Sequence, residues 1–460
     1  MTAKRRARSF PNEQKLRLMK PRWAFGLTFV AAVLAAGGTF YGLMVLLDFR
    51  EIDSTAKLDA KTLFDLVKLS FGVVAGAGAL VALVVAYRRQ RVDETGAHRE
   101  ATRLHTERFS QAVDKLGSDS PAVRLGGVHA LAGLADDAPD HNLRQTCIDV
   151  LCAYLQLPFT PDPGDDPARQ EEHHRYLAFR KVRHTILRLI GDHYRRPQAA
   201  QRSWQGCDLD LTGVTIDCST DFSSAVFSGS RVSFDGAVFS GGMVSFADTV
   251  FSGGMVSFAD TVFSGSIVSF ADAAFSGGMV SFHHTVFSEG RVSFDCAAFS
   301  GGKVSFPHTV FSGGKVSFSD ATFSGGWVLF HDAAFSGGRV SFDGAAFSTR
   351  TVSFDGAAFS TRTVSFRRAV FSAGTVSFDD AAFSASSTVS FARTEFSGAT
   401  VSFDRATFSH DAVSFSVVSF LDGQVSFSDA TGPAPSELLT AVIPDSVSVA
   451  LPSAWLPANP

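Results

Sequence analysis

Phenylalanines recur along the C-terminal half of this chain at steps that alternate between seven and five residues. The first members of the series are Phe227, Phe234, Phe239, Phe246 and Phe251. The alternation continues unbroken to Phe383, which closes 13 units of 12 residues, then slips by one residue at Phe391 and resumes as far as Phe415. A short fixed period predicts a solenoid, because each unit can bury its apolar side only by stacking on its neighbours.

Each repeat unit has the pattern of two very short strands joined by corners. In the unit AAFSGGRVSFDG, residues 333–344, apolar residues come in pairs spaced by two. The pairs are Ala333 with Phe335 and Val340 with Phe342. Alternation at period two places both members of a pair on one face of an extended segment. The residues between them, Ala334 and Ser341, are expected to point outward, and the Ser-Gly or Asp-Gly after each pair turns the chain.

The repeat resembles that of the pentapeptide repeat family, whose unit is a small residue, a variable residue, a central Leu or Phe and two more. The match spans about residues 207–428, and the lead-in DLDLTGVTI keeps the five-residue step from Leu211 to Ile216. The resemblance implies a right-handed, four-sided parallel β-helix in which central and small residues face inward. In this chain those are Phe227 and Ala225 and their successors along the repeat.

The seven-residue step departs from the family pattern, since it adds two residues at every second corner. If four sides still make one coil, each coil comprises two repeat units and has a 24-residue period. Phe227 then stacks on Phe251, and Phe234 stacks on Phe258. Nine such coils, at about 4.8 Å each, would form a rod roughly 45 Å long. A three-sided coil with another residue count is the alternative.

The enlarged corners are expected to project side chains in two opposite rows. Cationic examples are Arg291, Lys303, Lys315 and Arg339. The phenylalanines, by contrast, are predicted to be core, where each contributes about 1.5–3 kcal/mol by burial. A binding partner would therefore contact the enlarged corners and the outward residues.

Two apolar segments before the repeat predict a transmembrane hairpin. Residues 23–47 carry no charge, and residues 69–87 form a second apolar run. Both are long enough to cross a bilayer core of about 30 Å. Eight Lys or Arg precede the first run, and Arg88, Arg89 and Arg91 follow the second, so both ends are predicted to be cytoplasmic. The alternative for the first run is a signal peptide, but no cleavage site with a secreted domain follows it.

The segment between the hairpin and the repeat has helical periodicity. Phe109, Val113 and Leu116 mark one apolar face, and Ser120 with Pro121 begins a second helix. The apolar stripe predicted for that helix comprises Val123, Leu125, Val128, Leu131 and Leu134. The sequence VRLGGVHALAGLA, residues 123–135, resembles a HEAT-type helical repeat unit. It is more similar to a module between the membrane hairpin and the pentapeptide repeats of actinobacterial membrane proteins of unknown role, a family without known catalytic residues.

Further helices are predicted from Cys147 to Leu155 and from Tyr176 to Tyr194. The predicted organisation is a basic N-terminus (1–22), a transmembrane helix (23–47), a short extracytoplasmic loop (48–68), a second transmembrane helix (69–87), an α-helical cytoplasmic domain (88–203), the β-helix (204–430) and a C-terminal cap or loose tail (431–460). Trp204 and the helices are expected to cap the N-terminal end of the solenoid, because solenoid ends expose apolar cross-sections.

No motif in the chain indicates an enzyme, and we predict no catalytic residue, no cofactor and no metal site. The histidines of the helical segment, His173, His174, His184 and His193, lack the spacing of metal ligands, and solvated or capping roles are expected for them. Asp235 and Asp343 are expected to solvate corners. The five cysteines are odd in number and scattered, which predicts no disulfide framework, and Cys147 and Cys152 are expected to be buried thiols.

These observations favour a membrane-anchored cytoplasmic scaffold, multi-pass in the cell membrane, that presents a rigid β-helix to an unknown protein partner. One alternative is a DNA-mimic protein that occupies gyrase or another topoisomerase, as some pentapeptide proteins do. The repeat region 222–430 has 17 Asp or Glu against 11 Lys or Arg, a mild acidic excess, and the net charge of −4 favours no nucleic-acid partner. Another alternative is a surface adhesin built on outward serine rows at Ser233, Ser257 and Ser281.

Overall fold

A computed structural model describes the chain from residue 60 onward, with short breaks, and seven separate positions before it. The breaks are at residues 160–161, 165, 229–230, 253, 265–266, 277, 289, 301, 313, 325, 337, 361, 373, 385–387, 410–411, 422, 442–447 and 457–460. The separate positions are Val30, Leu34, Gly37, Gly38, Tyr41, Gly42 and Val45. The chain divides into two compact units, residues 1–100 and residues 101–460.

The predicted membrane hairpin is only partly within the described residues. Apart from the separate positions, its first segment, residues 23–47, lies outside them, as do the basic N-terminus and the loop as far as residue 59. The second segment, residues 69–87, lies within helix α1 (Ala60–Leu116). In the part of the chain that the structure describes, no helix is both long and apolar enough to span a bilayer. The hairpin stays a prediction.

The end of α1 packs with three further helices into a small helical domain. These are α2 (Pro121–Asp136), α3 (His141–Gln156) and α4 (Gln170–Arg195), and a 3-10 turn, Pro167–Arg169, precedes α4. Ser120 is the N-cap of α2 with Pro121 at its first position, as predicted. Cys147 and Cys152 are buried thiols, also as predicted, and burial raises the pKa of each to about 12.

One part of the predicted apolar stripe of α2 is wrong. Val123 is 43% exposed, because α2 is buried only from Gly127 onward. At Gly127 the two helices approach so closely that a Cβ would lie 2.6 Å from the backbone nitrogen of Leu116. Glycine is required there to let α2 pack against the last turn of α1.

Residues 209–450 form a parallel β-solenoid whose strands belong to four sheets, one on each side of the coil. Sheet 1 contains Leu209–Asp210, Arg231–Ser233, Met255–Ser257, Met279–Ser281, Lys303–Ser305, Trp327–Leu329, Thr351–Ser353, Thr375–Ser377, Thr400–Ser402, Gln424–Ser426 and Ser448–Ala450. Sheet 2 contains Thr215–Ile216, Val238–Phe239, Val262–Phe263, Val286–Phe287, Val310–Ser312, Ala334–Ser336, Ala358–Phe359, Ala382–Phe383 and Thr407–Phe408.

The remaining two sides of the coil have nine strands each. Sheet 3 contains Thr220–Asp221, Met243–Ser245, Ile267–Ser269, Arg291–Ser293, Lys315–Ser317, Arg339–Ser341, Thr363–Ser365, Val389–Ser390 and Val413–Ser414. Sheet 4 contains Val226–Ser228, Val250–Ser252, Ala274–Ser276, Ala298–Ser300, Thr322–Ser324, Ala346–Ser348, Val370–Phe371, Glu395–Ser397 and Ser419–Leu421. Successive strands of the chain visit the four sheets in turn, so the four-sided coil is confirmed and the three-sided alternative is wrong.

The 24-residue register is confirmed by strand pairing and by the packing of the rings. Phe227 pairs with Phe251, and their ring centroids lie 5.3 Å apart. Phe234 stacks on Phe258 at 4.8 Å with nearly parallel rings. Phe234 also meets Phe246 edge-on at 5.5 Å across the interior. Phe234 therefore has a parallel neighbour along the axis and a perpendicular neighbour across it, the two arrangements that aromatic pairs prefer.

The one-residue slip in the sequence leaves the core unchanged. Val364 pairs with Val389, one residue beyond the usual register, and the pairing of Val389 with Val413 restores the 24-residue step. The rings of Phe366 and Phe391, on either side of the slip, still stack at 4.9 Å. The strand pairing and the ring stack therefore accommodate the extra residue without a change in the interior packing.

The five-residue corners turn through a position with left-handed backbone conformation. Gly236, Asp248 and Asp260 have φ near +60°, a region that Gly, Asp and Asn adopt more readily than other residues. The backbone nitrogen of Asp260 donates to the carbonyl of His283 in the next coil at 2.8 Å. These corners therefore continue the hydrogen bonding of the sheets from coil to coil.

Both ends of the solenoid are covered. At the first coil, the ring of Tyr194 in α4 lies 4.8 Å from Phe227, and Gly191 approaches the carbonyl of Asp221 so closely that no Cβ would fit. The helical cap is confirmed, but Trp204 has a different place from the one predicted. Its ring stacks on His193 at 4.1 Å inside the helical domain.

The C-terminal tail forms the cap at the other end. Its strand Ser448–Ala450 pairs with Gln424–Ser426 and extends sheet 1. A short helix, α5 (Leu438–Ala441), and a 3-10 turn, Ser453–Trp455, flank that strand. The Trp455 indole packs against the last phenylalanines and donates from Nε1 to the carbonyl of Gly432 at 2.8 Å. Of the two predicted possibilities for the tail, the cap is the one observed.

Candidate interaction surface

Two outward rows of side chains run along opposite sides of the solenoid. The sheet 1 row consists of Arg231, Met255, Met279, Lys303 and Trp327, which pair in register as the first residues of successive strands. The sheet 3 row consists of Met243, Ile267, Arg291, Lys315 and Arg339, which pair in the same way. Because sheets 1 and 3 are separated by sheet 2 on one side and sheet 4 on the other, the predicted pair of opposite rows is confirmed.

Both rows expose large apolar side chains. In the sheet 1 row, Met255, Met279 and Trp327 are 41%, 44% and 47% exposed. In the sheet 3 row, Met243 and Ile267 are 55% and 49% exposed. Each precedes an inward valine in its strand, so alternation of side chains directs it to solvent. Apolar groups aligned on a surface are a common mark of a protein interaction site.

The apolar part of the rows is confined to the N-terminal coils. After Trp327 the sheet 1 row continues as Thr351, Thr375 and Thr400, and sheet 3 has Thr363 after Arg339. The charged members of both five-residue rows are all cationic. The first coils thus present methionine, isoleucine, tryptophan and basic side chains in these rows, and the coils that follow present mainly threonine.

The serines at the ends of the sheet 1 and sheet 3 strands do not form free outward rows. Ser233 is only 3% exposed, and its hydroxyl accepts from the backbone nitrogen of Asp235 at 3.3 Å. The hydroxyls of Ser257 and Ser281 accept from the backbone nitrogens two residues further on, each at 3.4 Å. Ser257 and Ser281 are partly exposed, and Ser233 is covered by the hydroxyl of Thr212, which lies 2.8 Å from its own, so the exposed serine row expected to begin at Ser233 is not continuous.

The corner aspartates also have a structural role in addition to solvation. Asp235 accepts from the backbone nitrogen of Ala259 in the next coil at 3.1 Å. Asp343 accepts from the backbone nitrogen of Arg367 at 3.1 Å and from the hydroxyl of Ser365. Such bonds join one coil to the next at the corners, in addition to the backbone hydrogen bonds made there.

The histidines predicted to be uninvolved in metal binding do not come together. His173 contacts Asp162, with 2.7 Å between Nδ1 and the carboxylate, and its ring lies 6.4 Å from that of His174. Burial lowers the pKa of His184. His193 is not solvated as expected, because it is buried between Trp204 and Asp136.

A cluster that the sequence pattern did not indicate lies on the corner after sheet 1. His283 and His284 occupy this corner in one coil, and His308 occupies it in the next. Burial and then the neighbouring His284 and His308 lower the pKa of His283. The sequence does contain an indication of this cluster, because His284 and His308 are separated by one coil period. It can be recognised only when the register is applied to corner residues as well as to core residues.

The helical domain contains an open cleft of about 480 Å³. Its lining includes Arg124, Tyr154, Phe159, Phe179 and Arg183. The guanidinium of Arg124 lies 4.5 Å from the ring of Phe179, and that of Arg183 lies 4.8 Å from the ring of Phe159. These two guanidinium groups already pack against aromatic rings of the domain, which favours a structural role for the cleft over a catalytic one.

Comparisons with protein-family models, with curated proteins and with solved structures gave no match to this chain.

Proposed function

We propose that this protein is a membrane-anchored scaffold whose solenoid presents the sheet 1 row to a cytoplasmic protein partner. The observation that carries the proposal is the row itself, in which Met255, Met279 and Trp327 are exposed in register on one side of the solenoid. Trp and Met are enriched in the buried centres of protein interfaces, where they supply much of the binding energy. A scaffold function requires no catalytic group.

The solenoid supports this role because its closely packed interior holds the surface residues in fixed positions. Phe299, for example, is 2% exposed and lies 4.7 Å from Phe275 and from Phe323. Coils spaced at about 4.8 Å place row residues at regular intervals. A partner would meet a preorganised surface, which lowers the entropic cost of association.

The chemistry of the row favours one class of partner. Its charged members, Arg231 and Lys303, are cationic, and its apolar members are long and unbranched or aromatic. The matching surface is an apolar groove with carboxylates at its edge, and such complementarity of charge contributes to specificity and to the rate of association.

The membrane anchor is supported by the sequence. The uncharged segment 23–47 and the apolar run 69–87 have the length of two spans, and Arg88, Arg89 and Arg91 follow the second. Val81, Leu83 and Val85 in α1 are all more than half exposed, which a bilayer would cover. This topology holds the solenoid in the cytoplasm, so the adhesin alternative, which needs the repeat outside the cell, is the weaker one.

Photo-crosslinking in native membranes followed by a binding measurement tests the proposal. A photoreactive residue in place of Trp327 is expected to capture a protein partner in the membrane fraction, whereas one in place of Thr375 is not. With the captured protein purified, the variant Met255→Ser/Met279→Ser/Trp327→Ser is expected to bind it at least about 30-fold more weakly, as for loss of interface hot spots.

The matched control is Thr351→Ser/Thr375→Ser/Thr400→Ser, which alters the same row beyond its apolar part. Its affinity for the partner and the melting temperatures of both variants are expected to equal those of the natural chain. Equal capture at both positions, an unchanged affinity of the Met and Trp variant, or recovery of the chain outside the membrane fraction would overturn the corresponding part of the proposal.

A further inference from the structure

Three histidines from two adjacent coils meet on the corner between sheets 1 and 2. Within His283, His284 and His308, one ring nitrogen of each lies within 4.8 Å of those of the other two. The ring centroids of His283 and His284 are 3.9 Å apart, and that of His308 is 5.8 Å and 5.1 Å from them. These three imidazoles are the one group of potential metal ligands at this spacing in the described part of the chain.

The backbone holds two of these histidines in equivalent positions. His284 and His308 both have left-handed conformation, with φ of 54° and 52°. The backbone nitrogen of His284 donates to the carbonyl of Pro307 at 3.0 Å, and that of His308 donates to the carbonyl of His331 at 3.2 Å. Their Cα positions are therefore set by the solenoid and not by a mobile loop, and both side chains leave the corner at the same point of the coil.

We propose that His283, His284 and His308 form a binding site for one first-row transition-metal ion, with Zn²⁺ as the representative. Imidazole nitrogen is a preferred ligand of Zn²⁺, Cu²⁺ and Ni²⁺, and three histidines with a water complete a tetrahedral Zn²⁺ site. At Zn–N distances of about 2.0–2.1 Å, ligand nitrogens lie about 3.3 Å apart. The ring nitrogens already lie within 4.8 Å of one another, and the side chains of His284 and His308 are exposed, so binding is expected to need rotation of these side chains and not a change in the solenoid.

Carboxylates lie beside two of the three imidazoles. Asp260 Oδ1 is 3.5 Å from Nδ1 of His284, and Asp332 Oδ2 is 4.0 Å from Nδ1 of His308. A carboxylate that accepts from Nδ1–H orients the ring, makes it a stronger ligand and leaves Nε2 for the metal. The two aspartates also supply negative charge close to a bound cation. Both belong to the same corner column, one coil before and one coil after the three histidines.

A fourth histidine borders the site. The ring of His331 lies 6.1 Å from that of His308, in the coil after it. Beyond it the column continues with Asp332, Asp355 and Asp379, so the histidines are confined to three consecutive coils. This limits the site to one ion between the first two coils, with His331 at its edge.

Titration of the purified full-length chain without a polyhistidine tag tests the site. Calorimetry with ZnCl₂ in a buffer free of chelators is expected to give about one ion per chain. Co²⁺ in place of Zn²⁺ is expected to give the strong visible absorption of a tetrahedral ion. His308→Asn is the primary variant, because asparagine tolerates the left-handed backbone at this position, and it is expected to lose at least ten-fold in affinity for Zn²⁺.

Two further variants make the result decisive. Asp260→Asn is expected to weaken Zn²⁺ binding by about ten-fold, as for carboxylates that orient metal-bound histidines. His129→Ala, which removes an exposed histidine of α2, is the matched control and is expected to leave binding unchanged. If His308→Asn lowers the melting temperature, His284→Asn takes its place. Absence of Zn²⁺ binding by the natural chain, or equal binding by the natural chain and the histidine variants, would overturn the proposal.

Discussion

The solenoid and the helical domain are stabilised in opposite ways. In the solenoid the same contact recurs once per coil, and Phe299 has nearly identical neighbours in Phe275 and Phe323, each at 4.7 Å. In the helical domain the contacts are unique. Asp136 accepts from the indole nitrogen of Trp204 at 3.1 Å, and no second copy of this arrangement exists in the described residues. In a repeat structure each coil contacts only its neighbours, so a substitution is expected to change the stability of nearby coils. In the helical domain the stability depends instead on single residues of one network.

The network around Asp136 shows the difference in detail. Nε2 of His193 lies 3.3 Å from Oδ2 of Asp136, and Arg196 donates to the same oxygen at 3.5 Å. The other ring nitrogen of His193 lies 2.6 Å from the carbonyl of Leu189. Burial alone would raise the pKa of Asp136, but the hydrogen bond and charge of His193, the hydrogen bond of Trp204 and the charge of Arg196 together lower it. Three residues far from Asp136 in the sequence are thus joined through its carboxylate.

The largest effect is expected from a charge in the repeated core. Phe299→Asp removes a ring that is 2% exposed and places a carboxylate among phenylalanines. Loss of a buried Phe costs about 3–5 kcal/mol, and an unpaired buried charge adds to that cost. We expect a lower melting temperature, and faster hydrogen exchange in the coils that contain Phe275 and Phe323, with no change in α2 and α3.

The control for this variant is Ala298→Asp, which introduces the same charge one residue earlier on the outer face of the same strand. It is expected to leave the melting temperature nearly unchanged. An unaltered thermal scan for Phe299→Asp would show that the inward position of this ring does not stabilise the solenoid. Faster exchange in the helical domain would show that the two regions are not independent.

An intermediate and more localised effect is expected at the C-terminal end of the solenoid. Trp455 is 6% exposed, and its ring lies 5.6 Å from the rings of Phe408 and Phe427. Trp455→Ala is expected to reduce local stability by about 3 kcal/mol. Hydrogen exchange measured by mass spectrometry should accelerate in the strand Gln424–Ser426 and remain unchanged around Phe299.

Leu456→Ala is the matched control, since this neighbouring side chain is 53% exposed. Its exchange pattern is expected to equal that of the natural chain. If Trp455→Ala instead accelerates exchange along the whole solenoid, stability is shared by all coils and the local character described above is wrong.

The smallest effect is expected in the helical domain, and it depends on pH. Asp136→Asn keeps the shape of the side chain but removes its charge, and a hydrogen bond to a charged group contributes about 1.5–3 kcal/mol. The pKa of Asp136 is lowered from its usual value of 3.8, so its carboxylate stabilises the fold above that pH and loses this effect as pH falls through the lowered pKa.

Melting temperatures at pH 7 and pH 3 measure this contribution. The difference between the natural chain and Asp136→Asn is expected to be present at pH 7 and smaller at pH 3. Asp137→Asn alters the adjacent exposed carboxylate and is expected to show no difference at either pH. A difference for Asp136→Asn that is the same at both values would mean that the charge of Asp136 does not stabilise the domain.

The register of the solenoid could be predicted because period and geometry leave few choices. Each repeat unit has two apolar pairs, so two units close four sides, and the ring stack of Phe234 on Phe258 follows from that count. The exposure of the serines could not be predicted in this way. Ser233 is 3% exposed and its hydroxyl lies 2.8 Å from that of Thr212 in the preceding coil, and period-two alternation contains no information about such contacts between coils.

The two candidate sites differ in the same respect. The sheet 1 row was predictable in outline, because Lys303 and its equivalents precede an inward valine at every coil. The sequence shows which members of the row are apolar. Only the parallel pairing of the strands shows that they are exposed on one continuous side of the solenoid. The histidine corner required more, since the spacing of His283 and His308 is not the coil period and the two occupy different positions of the turn.

The sequence by itself determined the repeat, its inward phenylalanines and the corners at which the chain turns, because these depend on local alternation and a fixed period. Only the tertiary structure decided what meets across coils and between regions. The contact of Asp136 with Trp204, the packing of Trp455 on Phe408 and the approach of His283 to His308 all join residues that neither local alternation nor the coil period relates. Such contacts depend on distances in the folded chain, and these are set by the stacking of whole coils and helices.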